Sequence, residues 1–293
     1  MFKGAMTALA TPFRDSKVDE QAFQDFVEWQ IAQGIHGLVA VGTTGESPTL
    51  GTQEHIRVIE LCVEATARRV PVIAGIGSNN TTSAVYMSKE SKRIGADGVL
   101  AVAPYYNKPS QNGMLNHFRV IADAVDIPMV IYNIPGRSIV DIDLETMAEL
   151  AQHKNIVGVK DATSDITRVS EYIDHCGEDF IQLSGDDPTA LAYRAHGGHG
   201  CISVASNVAP AKCAALQNAC DKGDYETARA LHHELDSLFK DLFVEPSPAP
   251  TKYALSLLGK MAADVRLPII SCSPEAQSRV RAAMTRAGVD FGQ

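Results

Sequence analysis

The sequence lacks several features that would place it in other classes of protein. No apolar run approaches the roughly 18 residues that cross a membrane as a helix, so we expect no membrane partner. The N-terminal segment is too short and too weakly apolar for a secretory signal. Basic residues are few, because 26 Lys and Arg stand against 35 Asp and Glu, a formal charge of −9. This balance argues against nucleic acid as the main partner.

Paired cysteines are also absent. The six cysteines form no CxxC pattern, and a chain of 293 residues does not need disulfides to stabilise its core. We therefore expect a reducing, cytoplasmic location. Hydrophobic residues make up 45% of the chain and charged residues 21%, which is typical of an ordinary globular protein rather than a disordered one.

Eight short apolar runs, rich in Val and Ile, recur at intervals of about 20 to 33 residues. They are nearly continuous rather than alternating, which is typical of parallel strands buried on both faces. The runs are Met6–Ala10, Gly37–Val41, Val70–Ala74, Gly98–Ala103, Pro128–Ile131, Ile156–Val159, Phe180–Leu183 and Gly200–Val204.

Amphipathic helices are predicted between these runs, for example over residues 19–33 and 53–68. Eight strand–helix units of this length predict a (β/α)8 TIM barrel, an α/β fold, over residues 1–222. The alternative is an open, doubly wound sheet. That fold usually carries a glycine-rich nucleotide loop after its first strand, and ATPFRDSK is not such a loop.

Residues 223–293 are predicted to form a C-terminal helical extension of the barrel. The segment Gly223–Phe243 is amphipathic, and the sequence EPSPAP interrupts it. Further helices are predicted at Thr251–Leu258 and Pro274–Arg286, the latter with Ser273 as its N-cap.

Polar, glycine-rich and aromatic segments follow most of the predicted strands. Barrel enzymes carry their active sites at the carboxyl ends of the strands, so these segments are expected to meet at one rim. They are GTTGES at 42–47, PYYN at 104–107, YNIPGR at 132–137, GVKDAT at 158–163 and SGDD at 184–187.

Lys160 ends the sixth predicted strand, where its amine would lie in the barrel mouth. Burial disfavours a charged ammonium, and a neutral amine can attack a carbonyl to form a Schiff base. The plainer alternative is an ion pair with Asp161 or another carboxylate. Tyr132 ends the preceding strand and would be the neighbour of the lysine. Its phenol could move protons there, or could simply pack.

Two further segments suggest carboxylate binding. GTTGE supplies the hydroxyls of Thr43 and Thr44 and backbone N–H groups that can hold a small carboxylate, although such loops are also frequent turns. Arg137 offers a planar fork for a second carboxylate, with a solvated surface arginine as the alternative. Tyr105 and Tyr106 are candidates for rim aromatics or for interface residues in an oligomer.

A metal-dependent alternative rests on His196 and His199, an HxxH pair near Asp186 and Asp187. Two imidazoles and two carboxylates can hold a divalent ion. However, HGGHG is rich in glycine and resembles a turn into the eighth strand. Similarly, GIGSNN at 75–80 could hold a phosphate but is more simply the cap of the third helix.

In this order, GTTGE, PYYN, YNIPGR, GVKDAT and SGDD resemble the dihydrodipicolinate synthases, lyases of the pyruvate-dependent class I aldolase group. The resemblance extends over nearly the whole chain, including FVEPSPAP. It implies a Schiff-base condensation of pyruvate with L-aspartate 4-semialdehyde, in diaminopimelate and lysine biosynthesis. It also implies no metal or organic cofactor and a homotetramer built as a dimer of dimers.

The resemblance also implies roles for individual residues. Lys160 corresponds to the lysine that forms an imine with pyruvate. Thr44, Tyr132 and Tyr106 correspond to a proton-relay triad, in which Tyr106 reaches across from a neighbouring subunit.

The family's substrate contacts match further positions. Thr43 and Thr44 correspond to the loop that binds the pyruvate carboxylate, and Arg137 to the arginine that receives the carboxylate of the aldehyde. Gly185 and Ile202 match positions whose backbone groups line the site. The paired threonines and Arg137 favour a synthase over the related sialic-acid lyases.

Regulation by L-lysine is expected to be weak. His55, Asn79 and Tyr105 resemble a lysine-binding cleft found in many relatives. Thr52 and Ser83, however, stand where lysine-sensitive enterobacterial-type enzymes carry histidine and glutamate. Serine brings no charge for the ammonium of lysine, so the affinity should fall.

Two other functions remain open at this stage. A different pyruvate aldolase would keep Lys160 and Tyr132 but accept another aldehyde. A non-catalytic sensor on the same scaffold would bind pyruvate or an amino acid without turnover. Turnover with pyruvate and aspartate semialdehyde would distinguish all three.

Overall fold

Eight parallel strands close into a barrel in the computed structural model, which describes residues 2–292. Each strand pairs with its neighbours in chain order, and the last pairs with the first through Gly4 and Gly200. The strands are β1 Gly4–Ala8, β2 Gly37–Ala40, β3 Val72–Gly75, β4 Gly98–Val102, β5 Met129–Asn133, β6 Ile156–Asp161, β7 Ile181–Ser184 and β8 Gly200–Ser203.

The closed sheet confirms the predicted (β/α)8 barrel and excludes the open, doubly wound alternative. Each of the eight apolar runs coincides with a strand to within two residues at either end. The agreement follows from burial on both faces, which gives the strands their nearly unbroken apolar sequence. A short hairpin of Phe13–Arg14 with Lys17–Val18 lies outside the barrel.

Helices connect and cover the strands. The barrel helices are α1 Glu20–Ala32, α2 Thr52–Thr66, α3 Thr81–Ile94, α4 Gln111–Ala124, α5 Leu144–Ala151, α6 Arg168–Cys176, α7 Ala190–Ala195 and α8 Pro210–Asp221. The Asn80 side chain accepts hydrogen bonds from the N–H groups of Thr82 and Ser83, so the sequence GIGSNN caps α3, as the simpler interpretation predicted.

Two layers of apolar side chains form the core. The inner layer fills the barrel and includes Met6, Val39, Leu100 and Leu183, all nearly or fully buried. The outer layer lies between the strands and the helices. A filled interior leaves the rim as the place where a site can form.

Three helices follow the barrel: α9 Tyr225–Asp241, α10 Ala249–Leu257 and α11 Pro274–Arg286. The range of α11 was predicted, and Ser273 caps it by accepting a hydrogen bond from the N–H group of Ala276. The C-terminal helices share the outer core layer with the barrel helices.

The division into residues 1–222 and 223–293 stays a prediction, and its end residues Met1 and Gln293 lie outside the described part. Within residues 2–292, no helix is long and apolar enough to cross a bilayer.

Candidate active site

Lys160 and Tyr132 lie side by side at the carboxyl ends of β6 and β5. Parallel pairing places them in register, and the Lys160 Nζ lies 4.0 Å from the centroid of the Tyr132 ring. Both residues are about 6% exposed. The structure therefore holds an amine and a phenol together in a nearly dry environment, as the sequence predicted.

Asp161 is not the partner of Lys160. Its carboxylate accepts hydrogen bonds from the Thr163 N–H and hydroxyl groups, at 2.8 and 2.6 Å, and from the Tyr172 hydroxyl at 3.2 Å. Burial raises the pKa of Asp161, and the Thr163 hydrogen bonds act in the opposite direction. The alternative of a Lys160–Asp161 ion pair is thus wrong, because the two side chains point to opposite faces of the strand.

A cavity of about 130 Å³ opens above the Lys160 amine. It is lined by residues within or just after seven of the eight strands, all except β3, and by residues of the segment before α10. Among the lining residues are Thr43, Thr44, Tyr132, Arg137, Lys160, Gly185, Asp186, Phe243 and Ser247. This volume suits a small molecule of a few heavy atoms.

The segment Gly42–Glu46 forms a tight double turn beside this cavity. The Gly45 N–H donates to the Gly42 carbonyl, and the Glu46 N–H donates to the Thr43 carbonyl, both at 3.1 Å. The Thr11 hydroxyl also donates to the Gly45 carbonyl at 2.8 Å. Thr44 is 4% exposed, so the loop is a fixed part of the cavity wall.

Arg137 stands at the cavity mouth on a single helical turn, Pro135–Ser138. The side chain is exposed. The turn itself is held tightly, because the Ser138 hydroxyl contacts the carbonyls of Ile134 and Val140 at 2.8 and 2.9 Å. Exposure alone would suit a solvated arginine, whereas its place in the cavity lining suits anion binding.

A second cavity, of about 420 Å³, adjoins the first and shares Thr43, Ile134 and Arg137 with it. Its wall includes Thr52, His55, Ser83 and Tyr105. The sequence did not indicate that a single arginine would border both cavities.

His55 and Asn79 make local contacts at the second cavity. The Nε2 atom of His55 lies 2.7 Å from the Gly75 carbonyl, and burial lowers the pKa of this imidazole. Asn79 is not part of the lining, and its carbonyl accepts a hydrogen bond from the Asn107 side chain at 2.9 Å.

Two of the residues predicted for catalysis or substrate binding, Tyr106 and Ile202, do not line the cavity above Lys160. Tyr106 is 88% exposed and has a left-handed backbone, with φ of 69°. Ile202 is buried at the end of β8, in the apolar cluster that contains Tyr132. Conversely, Phe243 and Ser247 line the cavity but were not predicted, because FVEPSPAP carries no periodic or catalytic pattern of its own.

The residues of the metal alternative are engaged in local hydrogen bonds. His196 Nδ1 lies 2.9 Å from the Ala192 carbonyl, and His199 accepts from the Gln182 N–H group at 3.1 Å. The buried Asp187 carboxylate accepts from the Val204 N–H group at 2.9 Å. Between residues 2 and 292 no three Cys, His, Asp or Glu side chains are grouped as metal ligands.

Comparison with known proteins identifies the family. The sequence profile of the dihydrodipicolinate synthetase family matches residues 1–287. The chain belongs to this family. A relative from Bartonella bacilliformis, a 4-hydroxy-tetrahydrodipicolinate synthase, is 57% identical over 291 residues, which are 99% of each chain. The resemblance drawn from the five motifs is thus confirmed.

Solved structures of the family have the same fold. Dihydrodipicolinate synthase from Aquifex aeolicus superposes with a TM-score of 0.97 at 43% identity, over 100% of both chains. The enzyme from Acinetobacter baumannii, solved in complex with pyruvate, superposes with a TM-score of 0.97 at 39% identity. It covers 99% of this chain and 100% of its own.

Gly185 is predicted to be essential for the position of the lysine. A Cβ atom at Gly185 would lie 2.9 Å from both Lys160 Cε and Ala162 Cβ and 3.2 Å from the Asp161 carbonyl, and the flexible end of Lys160 is the group that can shift at the lowest cost. We expect the rate of borohydride-trapped pyruvyl adduct formation on Lys160, followed by mass spectrometry, to fall by roughly 10- to 100-fold.

Gly51→Ala is the matched control, because a Cβ there would meet only a Glu54 carboxylate oxygen at 4.0 Å. Equal adduct rates in the Gly185→Ala variant and the wild type would contradict the steric argument.

Proposed function

We propose that this chain condenses pyruvate with L-aspartate 4-semialdehyde to form 4-hydroxy-tetrahydrodipicolinate. The observation that carries the proposal is the buried Lys160 amine beside Tyr132, in a cavity of about 130 Å³. Membership of the dihydrodipicolinate synthetase family and the named relatives support the same reaction. The product would enter diaminopimelate and lysine biosynthesis.

The first step is imine formation. The carboxylate of pyruvate binds at the Thr43–Thr44 turn, which brings its ketone carbon to Lys160 Nζ. The neutral amine attacks this carbon, and the ketone oxygen leaves as water after two proton transfers. Loss of a methyl proton then converts the imine into an enamine. We assign these proton transfers to the Tyr132 phenol, whose ring lies beside the Lys160 amine, and to the hydroxyl of Thr44, which lines the same cavity.

The second step joins the two substrates. The enamine carbon attacks the aldehyde carbon of L-aspartate 4-semialdehyde, while the Arg137 guanidinium holds the carboxylate of the aldehyde at the cavity mouth. The amino group of the bound aldehyde then attacks the imine carbon. This closes the ring and releases Lys160 as a free amine. The route needs neither a metal nor an organic cofactor, and we place it in the cytoplasm.

The exposure and backbone conformation of Tyr106 support the proposal that several chains assemble. An exposed fraction of 88% and a left-handed backbone are unusual for an isolated tyrosine. We propose that Tyr106 completes the proton relay of a neighbouring subunit, in a homotetramer built as a dimer of dimers. Backbone groups of Gly185 and Ile202 would complete the pyruvate site around Lys160.

Borohydride reduction in the presence of pyruvate tests the imine. We expect inactivation and a reduced pyruvyl adduct on Lys160, detected by mass spectrometry of proteolytic peptides, because a reduced imine cannot be hydrolysed. The Lys160→Met variant should carry no adduct. An adduct only on another lysine would contradict the mechanism, and activity lost with EDTA and restored by a divalent cation would revive the metal alternative.

Arg137→Ala should impair use of the aldehyde far more than imine formation. Loss of a charge-assisted hydrogen bond costs about 1.5–3 kcal/mol, or roughly 10- to 150-fold in kcat/KM for aspartate semialdehyde. The trapped-adduct rate with pyruvate alone provides the internal comparison. Equal loss in both measurements would show that Arg137 holds the loop rather than the substrate. Turnover with another aldehyde, and none with aspartate semialdehyde, would indicate a different pyruvate aldolase.

The second cavity is proposed as a weak L-lysine site. His55 and Tyr105 line it, and Asn79 lies nearby, as the family resemblance implies. Among the described residues that line this cavity there is no carboxylate, whereas Arg137 adds a positive charge. A lysine ammonium would therefore lack a counter-charge from this chain.

Ser83→Glu should strengthen inhibition by L-lysine. A carboxylate at this position in the cavity wall would supply a charged partner, and we expect the inhibition constant to fall by roughly 10- to 150-fold. Thr82→Glu is the matched control, because it adds the same charge on the same helical turn outside the lining. Strong inhibition of the unmodified enzyme by sub-millimolar lysine would contradict the proposal.

A further inference from the structure

The Glu46 carboxylate is buried at the base of the Thr43–Thr44 turn and is bound from the C-terminal extension. The Lys252 ammonium, on α10, donates to Glu46 Oε1 at 2.6 Å. The backbone N–H group of Arg266 donates to Glu46 Oε2 at 2.9 Å. The side chains of Lys252 and Glu46 are 0% and 2% exposed, so both charges lie within the protein.

Glu46 is coupled directly to the two threonines. It has a left-handed backbone, with φ of 55°, and its N–H group closes the turn on the Thr43 carbonyl. Only Gly45 separates it from Thr44, and the Gly45 N–H group donates to the Gly42 carbonyl at 3.1 Å, so Glu46 and the two threonines belong to one hydrogen-bonded turn. A displacement of the Glu46 carboxylate would therefore move the threonines.

Further aromatic and ionic contacts stabilise the two residues that bind Glu46. The Lys252 ammonium and the Arg266 guanidinium lie 4.0 and 4.2 Å from the centroid of the Phe13 ring. Arg266 also forms a two-pronged ion pair with Glu54 at 2.7 and 2.8 Å. The C-terminal extension thus contacts the 42–46 turn through Lys252 and Arg266, and both of these side chains are themselves held by Phe13.

We propose that Glu46 and Lys252 are positioning residues, which set the geometry of the Thr43–Thr44 turn so that it receives the carboxylate of pyruvate. This inference rests on the proposed function, since it assumes that pyruvate binds at that turn. It assigns the C-terminal extension a part in substrate binding that is exerted through this turn, in addition to its packing on the barrel.

The Lys252→Met variant tests the positioning role, because its dependence on each of the two substrates can be measured separately. Its trapped-adduct rate on Lys160 is measured against pyruvate concentration, and the KM for aspartate semialdehyde is measured at saturating pyruvate. We expect half-saturation by pyruvate to rise roughly 10- to 100-fold, as for a misplaced binding group, with little change in the KM for the aldehyde. Equal increases for both substrates, or none, would overturn the proposal.

A double variant separates positioning from stability. Glu46→Gln combined with Lys252→Met leaves no unpaired buried charge, so its Tm should recover relative to Lys252→Met alone. Half-saturation by pyruvate should nevertheless remain raised, because the ionic anchor is still missing. Recovery of both Tm and pyruvate binding would overturn the positioning role and leave a structural one.

Arg279→Met is the matched control within the extension. It breaks the Arg279–Asp241 ion pair between α11 and α9, which does not touch the 42–46 turn. Its pyruvate dependence should equal that of the wild type. If the wild type itself traps no pyruvate on Lys160, the proposed function fails. If the wild type traps pyruvate and Lys252→Met matches it, only the present inference fails.

Discussion

The parallel pairing of β5 with β6 fixes the chemistry of this site. Tyr132 is in register with Lys160, and Asn133 is in register with Asp161. Because successive side chains on a strand point to opposite faces, the first pair points into the barrel mouth and the second pair points toward the helices. One register therefore places the Lys160 amine and the Tyr132 phenol inside the barrel mouth, and the side chains of Asn133 and Asp161 outside it.

Asn133, in the pair that points outward, fixes the position of the segment after β5. The Asn133 side chain donates to the Asp141 carboxylate at 2.7 Å, and Arg168 donates to the same carboxylate at 3.0 and 2.5 Å. These bonds close the segment that carries Arg137 against the end of β5. Displacement of that segment would require breaking a partly buried ion pair, so the position of the Arg137 turn follows from the strand pairing as well.

Local patterns made most of this fold and site predictable. Each strand is a short apolar run, and Lys160 and Tyr132 end two of them, so sequence position alone placed both residues at the rim. The alternation of side chains would also have excluded the Lys160–Asp161 ion pair, which the sequence interpretation left open. By contrast, the Lys252–Glu46 contact joins residues 206 positions apart, and no periodicity indicates such a pairing.

The buried Lys252–Glu46 pair is better explained by geometry than by stability. Burial lowers the pKa of Lys252 to about 8, although the Glu46 carboxylate acts in the opposite direction. The ammonium is thus less stable here than in water. Well-packed apolar residues often replace such pairs without loss of stability, whereas removing one partner costs about 3–5 kcal/mol. An apolar pair, however, has no preferred direction. Two charged groups with a hydrogen bond of 2.6 Å define one separation and one orientation, and the binding of a small carboxylate that we propose for the turn needs both.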